Sequence, residues 1–148
     1  MEFQKGCYME STLFFYPVIT QIILTFIVYM LLPIAKSRVL KTTEIDITRR
    51  ALHNDAWPDS VLKISNNVQN QFESPVLFYA LCFMLWALNT VSLIAISVAW
   101  GYVALRVVHV FVHTGSNEIP VRKKVFMAST ALLMVLCGCV INELLAVS

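Results

Sequence analysis

Two constellations of polar side chains stand in an otherwise apolar sequence. The first is Lys63, Asn66, Asn70 and Glu73, flanked by Asn67 and Ser74. At about 100° per residue these four share a helical sector about 80° wide. Amides donate to carboxylates and accept from N–H groups, and a glutamate pairs with an ammonium, so the patch suits a zwitterionic, peptide-like ligand. The ordinary alternative for Asn66 and Asn67 is a solvated helix extension. Glu73 resists that reading, because it lies two residues before Pro75 and the run from Pro75 to Leu88 carries no charge. An ionisable group at such a border is paired or functional.

The second constellation is Tyr102, Arg106, His109 and His113, a single helical stripe at i, i+4, i+7 and i+11. An arginine inside an apolar run needs a protein interior, water or a carboxylate. An antiparallel hairpin brings residues 73 and 106 to similar depth, so a Glu73–Arg106 pair is expected, either structural or part of a site. His109 and His113 have helical spacing for a metal, but no third ligand accompanies them. Interior hydrogen bonding or ligand contact is the expectation, and no metal site. Arg122, Lys123 and Lys124 read first as determinants of membrane topology; one of them could also hold a thiolate. Cys82, Cys137 and Cys139 lie in apolar runs and read as free thiols, like Cys7 near the start. The Cys-Gly-Cys spacing of 137–139 lacks the two-residue gap of a zinc or redox pair. Asn142 and Glu143 receive no role.

These groups need elements to hold them, and the composition dictates which. Of 148 residues 58% are hydrophobic and 14% charged, with a mean hydropathy of +0.71. Soluble domains average roughly 25% charged residues, so this chain cannot cover its apolar groups with its own polar surface. An all-α integral membrane protein follows, made of one domain over 1–148, since a bilayer takes about 20 apolar residues per helix. Four spans are expected, at about 13–35, 61–88, 91–113 and 121–145. The first is too long for a signal-peptide core and no small-residue cleavage site follows it. Trp57 to Ser60 reads as an interfacial anchor and a helix start capped by Asp59 or Ser60. Pro75 should kink the second span, and Asn89-Thr90 makes a tight turn.

The loop 36–60 carries Lys36, Arg38, Lys41, Arg49 and Arg50, with Glu44, Asp46, Asp55 and Asp59; the fourth span opens on three more basic residues. The opposite side has only Lys5. The positive-inside rule places loops 36–60 and 114–120 in the cytoplasm and both termini outside. The net charge of +2, with no basic stripe interleaved with aromatics, excludes a nucleic-acid partner.

The stretch Asn70-Gln71-Phe72-Glu73-Ser74-Pro75-Val76-Leu77-Phe78 resembles the Asn, Glu and Pro signature on the second helix of the MAPEG proteins, membrane-associated proteins in eicosanoid and glutathione metabolism. Its wording is similar to the bacterial branch. The likeness extends over nearly the whole chain: four spans, a long first loop, a tight second turn and an arginine on the third span. It implies a four-transmembrane-helix bundle that forms a homotrimer in lipid, here in a bacterial inner membrane. It also implies a glutathione site, glutathione being a co-substrate, at each subunit interface near the cytoplasmic side. Asn70 and Glu73 would hold the tripeptide. The family arginine four positions earlier is Asn66 here, and the family's tyrosine pair on the third helix is His109 and His113. Arg122 matches the arginine that activates the thiol.

The leading expectation is therefore a glutathione-dependent transferase or peroxidase. It would act on lipophilic electrophiles or lipid hydroperoxides and stabilise the thiolate with Arg122 or Arg106. Two others stand beside it: a non-enzymatic bundle that binds a lipid or a partner helix around a structural Glu73–Arg106 pair, and a solute or proton carrier using Glu73 and the histidines.

Overall fold

The computed structural model describes residues 12–42 and 46–147. The polar start over residues 1–11, with Lys5 and Cys7, and Glu44 of the first loop lie outside the described residues. Among those described, all regular structure is helical. Helix α1 spans Phe15–Thr42, α2 Ile47–Leu52, α3 Asp59–Gln71, α4 Ser74–Ala87, α5 Leu93–Thr114 and α6 Ile119–Val147, with a 3-10 turn at Asn54–Ala56.

Three of these helices, α1, α5 and α6, are long and apolar enough to cross a membrane. They leave large apolar side chains on the outside: Phe26 is 65% exposed, Phe111 74% and Met134 71%. Water would penalise such a surface and a bilayer would not. α1 outruns the expected span by a full turn and more, because Pro33 sits on an exposed position inside it without ending it.

The expected second span is two helices. α3 stops at Gln71, Phe72 and Glu73 are non-helical, and α4 starts at Ser74 with Pro75 in its first turn. A proline ring clashes with the carbonyl four residues back and has no N–H to offer, but it is well suited to a helix start. The sequence therefore breaks the helix three residues ahead of Pro75 instead of kinking it there. α3 is capped by the Pro58 carbonyl, which accepts from Val61 N and Leu62 N. Asp59 is not the cap but stands in the first turn, where a carboxylate meets the positive helix end.

The first loop is also partly helical. Asp46 caps α2 by accepting from Thr48 Oγ1 at 2.6 Å, Thr48 N at 2.9 Å and Arg49 N at 3.2 Å. Those bonds, the Thr48 hydroxyl first, hold its carboxyl below the usual carboxylate range. Trp57 is buried, with the Lys36 ammonium 4.8 Å from its ring centroid. The tight turn after α4 is a Schellman closure: Thr90 N donates to Leu85 O and Asn89 N to Trp86 O, with Asn89 at φ 55°.

The core lies between α4, α5 and α6. Phe78 stacks on Tyr102 with centroids 4.5 Å apart, beside Leu85, Ala95, Ala99 and Leu136. Small residues on α5 let α6 approach closely. A Cβ at Gly101 would stand 3.1 Å from the Leu132 side chain.

Candidate functional site

The break at Phe72–Glu73 governs the polar chemistry of the bundle. Within an unbroken helix the Asn70 carbonyl would accept from the N–H four residues on. Here it accepts from Arg106 Nη2 at 2.9 Å. Arg106 has no exposed surface, and its Nε and Nη1 have no hydrogen-bond partner among the described residues. One turn earlier on α5, the Tyr102 hydroxyl lies 3.1 Å from Ser74 Oγ, the first residue of α4. The second constellation thus holds both ends of the interruption.

The expected Glu73–Arg106 pair is not formed. Among the described residues the one ion pair is Arg49–Asp55 at 2.7 Å, on the exposed loop. The physical reason is the break itself. It leaves Glu73 on an exposed position in the linker and gives the guanidinium a free carbonyl in its place.

Beside the interruption a cavity of about 350 Å3 opens between α3, α5 and α6. Asn66 and Asn70 line it from α3, His109 and His113 from α5, and Arg122 and Lys123 with Ile119 and Phe126 from α6. Four residues singled out by spacing meet here, Asn66, Asn70, His109 and His113, together with Arg122, which the resemblance singled out. Glu73 and Arg106 stand outside the lining. Asn70 Nδ2 reaches His113 Nδ1 at 3.5 Å. Arg122 Nη1 donates to Asn117 Oδ1 at 2.7 Å, which fixes the guanidinium at the mouth of α6. Lys63 Nζ donates to the Gly115 carbonyl at 3.3 Å and ties the start of α3 to the end of α5. The His109 ring packs 5.4 Å from His113 and 5.9 Å from Phe126.

Three buried amides were not singled out as a set. Gln21 Nε2 donates to Gln71 Oε1 at 3.1 Å, and Gln71 Nε2 to Asn67 Oδ1 at 3.0 Å, all on side chains with at most 1% exposure. This ladder joins α1 to α3 behind the cavity wall. Its signal was present: Gln21 is a lone amide in an apolar span, and such groups face a bundle interior. Phe126 and Ile119 carried no signal, being apolar residues among many.

The arrangement joins amide donors and acceptors, two imidazoles and two cations around a space large enough for a small polar ligand. Among the described residues no group of three His, Cys, Asp or Glu side chains is placed to hold a metal ion. No curated protein and no solved structure matches the chain. A family model described as MAPEG family matches residues 13–142. That interval takes in α1 and α5, α6 as far as Asn142, the broken α3–α4 pair and every residue of the cavity, and on it the chain belongs to the MAPEG family.

Proposed function

We propose that this membrane protein is a glutathione-dependent transferase or peroxidase that acts on lipophilic electrophiles or lipid hydroperoxides. The observation that carries the reading is the cavity between α3, α5 and α6, where amides and cations face one another. Asn66 and Asn70 contact the peptide groups of the tripeptide, with His109 and His113 opposite. Arg122 is the cation that stabilises the thiolate; each pKa unit by which it depresses the thiol corresponds to about 1.4 kcal/mol. The thiolate sulfur then attacks the electrophilic carbon of the acceptor and displaces its leaving group as an anion. With a hydroperoxide it attacks an oxygen and breaks the O–O bond, giving a sulfenic acid and an alkoxide that takes up a proton. A second glutathione converts the sulfenic acid to the disulfide with loss of water. Arg106 acts one step back. It is buried behind Asn70 and sets that residue's position through its carbonyl.

A second cavity, about 360 Å3 and almost entirely apolar, lies on the α1 side of the interruption, between Ile22, Phe26, Tyr29, Phe72 and Tyr79. It supports a lipophilic acceptor that enters from the bilayer. It equally favours the alternative reading, a non-enzymatic bundle that holds a lipid there. The homotrimer belongs to the proposal too. Glu73 is exposed on a single chain beside apolar α4, and an assembled trimer would cover it.

Isothermal titration of glutathione into the protein in detergent tests the reading. Sub-millimolar affinity that weakens in Asn70→Ala and Arg122→Leu is expected. Affinity of millimolar or worse, unchanged in Asn70→Ala, would overturn the transferase and leave the lipid-binding bundle.

A further inference from the structure

Among the described residues His109 is a buried side chain whose polar atoms are all unaccounted for. It is 2% exposed, it lines the cavity, and neither ring nitrogen has a hydrogen bond of good geometry among the described residues, although the Arg122 backbone lies near. A buried imidazole with both nitrogens unpartnered is unusual, because leaving a buried polar group unpaired costs about 1–3 kcal/mol. The charges around it all have one sign. Arg122 and Lys123 face the same space from α6, and Arg106 precedes His109 by one turn on α5. From α3 come the neutral amides of Asn66 and Asn70, with Lys63 one turn further out. Among the described residues no carboxylate lines the cavity: Glu118, the nearest acidic residue in sequence, is exposed just ahead of α6, and Glu73 is exposed in the linker.

We propose that the inner end of the cavity is a subsite for a carboxylate of the bound ligand, held by a doubly protonated His109. A carboxylate arriving there supplies the one partner that the cluster of cations lacks, and binding draws a proton onto the imidazole. The neighbouring His113 is the poorer place for that proton, because its Nδ1 already accepts from Asn70 Nδ2. An imidazole is the side chain whose charge a single arriving carboxylate can change near neutral pH. The sign follows from linkage: a complex that binds one more proton than its free components tightens as the pH falls.

This inference rests on the glutathione reading, and the experiment separates the two. S-methylglutathione is titrated calorimetrically into the full-length protein in detergent between pH 5.5 and 7.5. It keeps both carboxylates and has no thiol proton to release. The expected result is a Kd that tightens as the pH falls, by at most about tenfold per unit for one proton, with a binding enthalpy that varies with the ionisation heat of the buffer in the sense of proton uptake. That buffer dependence is read on the wild type and needs no variant. In His109→Gln the slope and the uptake vanish, while in His53→Gln, on the exposed loop, both persist. A wild-type Kd that is flat with pH and free of proton uptake overturns the subsite and leaves the glutathione reading standing. A slope retained in His109→Gln overturns the assignment to His109. Absence of binding across the whole range overturns the subsite and the glutathione reading together.

Discussion

Asn70 acts through both of its polar ends, and this is where the residue scale matters most. Its carbonyl takes the Arg106 guanidinium and its side chain reaches His113 at the cavity wall. Spacing selected Asn66, Asn70, His109 and His113, the family resemblance selected Arg122, and these meet in one cavity. It misplaced the partner of Arg106, because pairing charges by depth takes no account of a backbone carbonyl released by a helix break. A prediction follows for the two arginines. Arg106→Leu leaves the half-buried Asn70 carbonyl without its donor, a loss of about 1 kcal/mol, and its melting temperature in detergent should fall by several degrees. Arg122→Leu gives up a contact to Asn117 on a half-buried side chain and should melt close to the wild type while losing glutathione affinity. Equal melting temperatures for the two variants would remove the positioning role given to Arg106.

At the scale of elements, the interruption between α3 and α4 separates the structural from the functional demands of Pro75. The sequence made a distortion near residue 75 legible, since proline cannot continue a hydrogen-bond ladder. It did not reveal which residues leave the helix. That depends on Arg106 and Tyr102, which reach across from α5 to the Asn70 carbonyl and to Ser74. Replacing Pro75 by alanine restores an N–H and removes the ring, so α3 and α4 can fuse. The Ser74 N–H then competes with Arg106 for the Asn70 carbonyl, and Asn70 turns with the helix. Pro75→Ala should therefore keep or raise the melting temperature yet weaken glutathione binding about tenfold, or about 1.4 kcal/mol. Calorimetry and thermal melting on one preparation check both halves. Full affinity together with a lowered melting temperature would show that the break serves packing and not the site.

For the whole molecule the open question is how often the chain crosses the bilayer. α1, α5 and α6 have the length and composition to cross. α4, with 14 residues, is about 21 Å long and falls short of the ~30 Å hydrocarbon core. Composition made an all-helical membrane protein legible, but it counted α3 and α4 as one span because the pattern of apolar residues does not register a two-residue interruption. Contacts at the two ends of the bundle argue that α3 and α4 together still make a crossing. Lys36 over Trp57, and Lys63 on Gly115, gather the first loop, the start of α3 and the end of α5 at one end. Phe15 against Trp86, with ring centroids 5.8 Å apart, joins the start of α1 to the end of α4 at the other. Single cysteines placed at Asp55, Thr90 and Ser116, in a background whose four native cysteines are serine, turn this into a measurement. With four crossings, a membrane-impermeant maleimide applied to vesicles of known orientation labels positions 55 and 116 from one side and position 90 from the other. With three, α3 and α4 re-enter, and positions 55 and 90 label together with 116 opposite. The first pattern is the expected one. It would also put the cavity mouth on the side of the basic loops, where a water-soluble thiol arrives, and leave the apolar cavity on the α1 side to receive its partner from the lipid.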